Sequence, residues 1–168
     1  MRLIHALIAL VPLAALAVLQ NFYYWQNLPE RVATHFGPEG IADGWMSRTA
    51  ACVVMGAFQI LMPLLFLGIG YLLYWIPESM INIPNKPFWF HPDRKQASLS
   101  ALAGMLGVFA IALSAFFFGM NHLTYLANLS EGRLAMVPFW VLLGLFLSFT
   151  AGWVGWMMIR FKVPASVR

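Results

Sequence analysis

His35, Glu39 and Asp43 place an imidazole and two carboxylates at four-residue spacing in one short polar stretch. Those donor types suit zinc or another divalent ion. In an unbroken helix the three share a face, but Gly37-Pro38 and Gly40 argue for a bent loop. The plainer role has His35 hydrogen-bonded inside a cap and Asp43 accepting backbone donors in a turn. His122, beside Asn121, is a second imidazole that could face His35. Two histidines across a ring-sized gap are the minimum for a bis-histidine haem. His5 and His91 could form a similar pair on the opposite, inner side, and no c-type attachment motif accompanies either pair. There is no Gly-rich phosphate loop, no nucleophile-elbow serine, no pair of intramembrane carboxylates and no His-Glu-x-x-His. The expectation is no catalytic residue and no cofactor. A divalent metal on His35, Glu39 and Asp43, or a haem, is the alternative.

The elements that must carry these residues follow from composition. The chain has 168 residues, 61% of them hydrophobic and 10% charged. Soluble domains sit near ~45–50% apolar and ~25% charged, and a domain of this size could not hide so much apolar surface from water. Residues 3–29, 49–77, 96–130 and 134–159 contain no Asp, Glu, Lys or Arg. Each run exceeds the ~20 residues of a bilayer-spanning helix. The reading is one all-α integral membrane domain over 1–168, with spans at about 3–19, 50–75, 99–120 and 137–159. Pro12 is tolerated in the first span as a kink. Arg2 and Ala15-Leu16-Ala17 resemble a cleaved signal peptide. The apolar run is long for that, so a retained span is expected.

Charge sets the orientation. Arg2, Lys86, Arg94, Lys95, Arg160, Lys162 and Arg168 fall on one side, and Arg31, Arg48 and Arg133 on the other. The positive-inside rule puts both termini and loop 76–98 in the cytoplasm. Loop 20–49 and loop 121–136, with Glu30, Glu39, Asp43 and Glu131, then face outward. The net charge of +4 is spread over loops and tails, without a basic helix or RNA-binding motif, so nucleic acid is excluded as a partner. Cys52 is the single cysteine, so no intrachain disulfide forms. Gly144, Ser148 and Gly152, with Ala151 and Gly155 beside them, make a small-residue stripe on span four. Ser100, Ala103, Gly104 and Gly107 make another on span three. Such stripes let helices approach closely. Packing within one chain is favoured, with an oligomer through Gly144, Ser148 and Gly152 as the alternative. No ionisable side chain lies mid-span, which argues against a pump or ion-coupled transporter.

Two loops carry the remaining information. In the outer loop, Asn27 with Glu30 reads as a capping box starting a helical turn. Val32 to Phe36 reads as a short strand, with Gly37-Pro38-Glu39-Gly40 and Asp43-Gly44 as turns. The expected product is a helical turn plus a small hairpin-like cap. In the inner loop, Phe88, Trp89, Phe90 and His91 lie between Lys86 and Arg94-Lys95, a pattern suited to anionic headgroups. A docking site for a partner is the alternative there, and Pro77, Pro84, Pro87 and Pro92 suggest a shaped, non-helical segment. Asn128-Leu129-Ser130 fits a glycosylation sequon that a bacterial chain would not ordinarily use.

The run Leu28-Pro29, His35-Phe36, Gly40, Asp43-Gly44-Trp45 and Ser47-Arg48 resembles domain of unknown function 1648. This bacterial membrane module is also found at the front of SdpI-type immunity proteins. The inner run Ile83-Pro84-Asn85-Lys86-Pro87-Phe88-Trp89 is similar to a stretch of its stand-alone members. The resemblance implies a bacterial inner-membrane protein and marks His35, Gly40, Asp43, Gly44, Trp45, Asn85, Lys86 and Trp89 as motif positions. With His122 these are the candidate binding residues. The expected function is a non-enzymatic accessory, sensor or immunity-like protein that contacts membrane lipids and a membrane or secreted protein or peptide. A metal- or haem-binding protein with an outer-face site, or a small transporter subunit, is the alternative.

Overall fold

The computed structural model describes residues 3–130 and 132–163. Arg2, Glu131 and Arg168, counted above for orientation, lie outside them. In order, the chain forms helix α1 (Leu3–Asn27), strands β1 (Arg31–Phe36) and β2 (Ala42–Ser47), and helix α2 (Arg48–Leu72). A 3-10 turn follows at Glu78–Met80, then the one-turn helix α3 (Lys86–Trp89), and the long helices α4 (Pro92–Leu129) and α5 (Met136–Arg160). Four of these helices are long and apolar enough to cross a membrane.

The helix ends differ from those hydropathy suggests. Span one continues to Asn27, so the expected helical turn from Asn27 is absent. Leu28–Glu30 is irregular and leads directly into β1. Span two runs from 48 to 72 rather than 50 to 75. Span three becomes a 38-residue helix in place of 99–120. At 1.5 Å per residue α4 is about 57 Å long, well beyond a ~30 Å hydrocarbon layer. Hydropathy registers lipid thickness, whereas a helix continues until its backbone bonds are interrupted. Pro87 and Pro92 occupy first-turn positions of α3 and α4, where a missing N–H costs nothing. The inner loop is therefore partly helical.

Helix α4 is the centre, packing on α1, α2 and α5, while α1 also packs on α2. Among the four long described helices, α5 packs on α4 alone. Aromatic rings carry that contact: Phe109 meets Phe146, Phe149 and Trp153, and Phe116 stacks on Phe146 at 4.3 Å. Gly119 makes room for Leu142, since an added Cβ would come within 2.8 Å of it. The span-four stripe does not pack within the chain. Gly144, Ser148, Ala151 and Gly152 are exposed, and a Cβ built on Gly144, Gly152 or Gly155 would meet nothing within 4 Å. Burial forms three layers. Tyr24, Leu28, Val32, Ala51 and Tyr125 lie at the hairpin end. Ala6, Leu10, Leu67 and Ala110 lie in the middle. Leu73, Ile83, Phe90, Leu99, Leu102 and Phe161 are among those at the opposite end.

Candidate functional site

A lone two-stranded hairpin is marginal in water, so this one needs a mount. Strand β1 pairs antiparallel with β2, from Arg31 opposite Ser47 to Phe36 opposite Ala42. The free edge of β1 is closed by a side chain. Ala33 N–H donates to Asn128 Oδ1 (2.6 Å), and Asn128 Nδ2 donates back to Ala33 O (2.9 Å). A primary amide carries the same donor and acceptor as a peptide bond, so Asn128 acts as one residue of a third strand. Asn128 Nδ2 also donates to Thr124 O (2.8 Å), which fixes its rotamer on α4. The hairpin tip is held separately. Gly40 has φ +75°, Leu134 N–H donates to Gly40 O (2.8 Å), and Ile41 bridges Arg133.

Most motif residues are engaged in this mounting. A Cβ on Gly40 would lie 2.5 Å from Leu134 O. A Cβ on Gly44 would lie 2.9 Å from His35 Cβ, so glycine there lets the strands close. Ser47 caps α2, its Oγ accepting from Ala50 N–H. Arg48 donates from Nη1 to Leu28 O (3.0 Å) and covers the Trp25 ring, tying the end of α1 to the start of α2. Trp45 is exposed on the hairpin with Arg31 5.1 Å over its ring.

His35 and Asp43 are the exceptions. The ladder is irregular at His35: Ala33 faces Trp45, His35 faces Gly44 and Phe36 faces Ala42, so Thr34 and Asp43 lack cross-strand partners. Asp43-Gly44 is thus a bulge in β2, not the expected turn, and bulges redirect side chains. Here the bulge sets Asp43 Oδ1 2.5 Å from His35 Nδ1. An Nδ1–H donated to the carboxylate leaves Nε2 as an acceptor. Both side chains are largely exposed, at 75% and 54%. Glu39 does not join them: no group of three or more His, Cys, Asp or Glu that could hold a metal occurs among the described residues.

The pair edges a cleft of about 520 Å³ between the hairpin, α4 and the start of α5. Phe36, Pro38, Met120, Met136, Phe139 and Trp140 supply its apolar wall. This is the size of small-molecule and peptide side-chain pockets, and an apolar wall with a few polar groups is their usual lining. His122 is not on that wall. Its Nδ1 lies 2.9 Å from Tyr24 Oη, so the structure places it with α1, away from His35 in role.

Sequence reading missed a layer of uncharged polar side chains beneath the hairpin. Asn121 Nδ2 donates to Gln59 Oε1 (2.7 Å), Gln20 Nε2 to Phe118 O (3.1 Å), and Tyr125 Oη to Asn21 Oδ1 (2.6 Å). Gln20, Gln59 and Asn121 are buried. The sequence signal for this layer is Asn and Gln within charge-free apolar runs.

At the opposite end the second motif is a clamp on α5. Asn85, in the left-handed region at φ +53°, donates from Nδ2 to Phe161 O (2.8 Å), and Trp89 Nε1 donates to the same oxygen (2.8 Å). Arg160 lies 4.8 Å over the Trp89 ring. Lys86 Nζ donates to Glu78 O, and Lys95 pairs with Glu78 at 2.6 Å. Asn85 and Trp89 thus tie the inner loop to the end of the last span.

No curated protein and no solved structure matches the chain. A family model does, and its boundaries fit the geometry: it starts within α1, takes in the whole hairpin and ends in α2 at residue 60, next to Gln59 of the polar layer. Residues 12–60 of this membrane-type helical chain match the model of the family described as domain of unknown function 1648.

Proposed function

We propose that the protein is a non-enzymatic accessory or sensor in the bacterial inner membrane. Its hairpin-end cleft receives an apolar segment of a membrane or secreted protein or peptide. The observation that carries this reading is the cleft itself. Gly40, Gly44, Ser47 and Arg48 are occupied in holding the hairpin, while His35 and Asp43 edge a largely apolar cleft. An imidazole–carboxylate pair at the rim of an apolar cleft can orient a ligand through hydrogen bonds. The reading requires no cofactor.

The hairpin is assigned to the outer face. Arg31, Arg48 and Arg133 are at its end, against Lys86, Arg94, Lys95, Arg160 and Lys162 at the other, and the more basic end faces the cytoplasm. Arg94 over Phe88 (4.2 Å) suits contact with anionic lipid at that inner end. In intact cells, Glu39→Cys is expected to react with a membrane-impermeant maleimide and Asp93→Cys is not; the reverse pattern inverts the topology.

The function is tested by photo-crosslinking in the native membrane. A photoreactive residue at Pro38 or Phe139 should give a discrete adduct that is absent from the same probe at Leu145, on the exposed face of α5. Identical adduct patterns from all three positions would remove the cleft as the site. Substrate turnover by purified protein that His35→Ala abolishes would replace the accessory role with an enzyme.

A further inference from the structure

Midway along the bundle, away from the hairpin, α1, α2 and α4 enclose a second cavity of about 90 Å³. Leu7, Leu10, Val11 and Ala14 of α1 line it, with Ile60 and Leu64 of α2. Into this apolar chamber come three polar features. Ser114 is only 4% exposed and lines the cavity, yet its hydroxyl has no hydrogen-bond partner among the described residues. Gln59 also lines it, and its Nε2 makes a single long bond of 3.5 Å to Gln20. Pro63, on the same wall, has no N–H, so the carbonyl four residues back, that of Gln59, lacks its helical donor.

Among the described residues no fully buried side-chain polar atom lacks a partner, so the unpartnered Ser114 hydroxyl opens onto the cavity, beside a Gln59 carbonyl that has lost its helical donor, and a polar group facing an apolar space gains from a partner. A ligand that both donates and accepts would satisfy them. The mouth indicates where it enters. Leu7, Val11 and Leu64 are 43%, 63% and 44% exposed, on helices long and apolar enough to span a membrane, so the opening faces lipid tails rather than water. No charged side chain lines the cavity, and a charged head is disfavoured at that depth.

We propose that this pocket binds the hydroxyl end of a lipid-soluble alcohol entering from the bilayer between α1 and α2. The head accepts from Ser114 Oγ–H and donates to the Gln59 carbonyl. An engineered cavity of ~150 Å³ holds one benzene, so this pocket takes the head and first carbons while the remaining chain lies in lipid.

The test uses the full chain in phospholipid nanodiscs, with a diazirine analogue of 1-octanol as photolabel. Labelling should concentrate on peptides covering 7–14 and 60–64, saturate, and be displaced by 1-octanol but not by n-octane. Ser114→Ala should weaken displacement by about two- to tenfold, the range of one net hydrogen bond. Ala14→Phe, which fills the chamber, should abolish this labelling while leaving lipid-facing α5 peptides labelled as before. Should Ala14→Phe not fold, Ser114→Ala alone still decides. Non-saturating labelling, equal displacement by n-octane, or an unchanged response in Ser114→Ala would overturn the proposal, as would a pocket filled by water alone.

Discussion

Replacing Asn128 by Leu is expected to free the hairpin while leaving the helices packed. The side chain makes three hydrogen bonds, but only two groups lose their partner. Thr124 O is a helical carbonyl that keeps its bond to the residue 128 backbone N–H. Ala33 N–H and Ala33 O face the side chain at 2.6 and 2.9 Å, and Ala33 is only 2% exposed. Each buried backbone group left unpaired costs ~1–3 kcal/mol. The sum of about 2–6 kcal/mol corresponds to a roughly 30- to 25,000-fold rise in the equilibrium for opening β1 from α4. Hydrogen exchange read by mass spectrometry on protein in nanodiscs measures it directly. Peptides covering 31–47 should lose protection by a factor in that range, while peptides from the middle of α4 should not change. Asn128→Asp is the informative partner. It keeps an acceptor for Ala33 N–H but sets a carboxylate oxygen against Ala33 O and Thr124 O, so it should protect no better than Leu. Unchanged exchange at 31–47 in Asn128→Leu would refute the claim that this side chain mounts the hairpin.

Gly40→Ala combines a φ of +75° with a Cβ 2.5 Å from Leu134 O. The left-handed backbone alone costs ~1–2 kcal/mol, so exchange at 132–134 should rise about tenfold or more, and wild-type exchange there would contradict the close approach. Asn121→Leu removes the donor to Gln59 Oε1 and Met55 O. Interhelical hydrogen bonds in bilayers average only ~0.6 kcal/mol, so reversible unfolding in mixed micelles should show a loss of about 1 kcal/mol, and a loss several times larger would mean that Asn121 has another role. Trp89→Phe deletes one of the two donors to Phe161 O and should raise exchange at 158–161 by several-fold without altering the hairpin; no change there would remove the clamp. If chains associate through α5, Ser148→Cys in a Cys52→Ser background should form a disulfide dimer that Gly144→Ile and Gly152→Ile abolish, with thermal stability little changed because a Cβ added at either glycine meets nothing of its own chain within 4 Å; persistence of the dimer in both would exclude that face.

The four long helices were legible because charge-free runs and bilayer thickness are one-dimensional quantities. Strand β1 was legible for a related reason: Val32 to Phe36 is short, partly β-branched and closed by Gly37-Pro38. What remained hidden was pairing across the chain. Asn128 looked like a sequon because nothing local reveals that its amide meets a strand edge 95 residues away. Asp43-Gly44 looked like a turn because those residue types favour turns; the register of β1 against β2 makes them a bulge instead. The glycines of α5 looked like intrachain packing because spacing cannot say which side of a helix has a neighbour, and α5 meets α4 through its aromatic face.

The same distinction decides how the cleft should be probed. The run of Pro, His-aromatic, Gly, Asp-Gly-Trp and Ser-Arg invites substitution of every member as a test of function. Here most of those substitutions act on the mount first. Gly40 and Gly44 set close approaches, Ser47 caps α2 and Arg48 joins α2 to the end of α1. A loss of activity in any of them follows equally from a displaced hairpin. The wall residues Pro38, Met120, Phe139 and Trp140 line the same cleft without a side-chain hydrogen bond to the hairpin, so changes there alter what the cleft can hold while its frame stays closed. Phe139→Ala, by enlarging the pocket, should change the adducts formed from Pro38 while exchange at 31–47 keeps its wild-type protection. If both readouts moved together, the cleft and its mount would be one cooperative unit, and ligand recognition would have to be assigned to the hairpin as a whole.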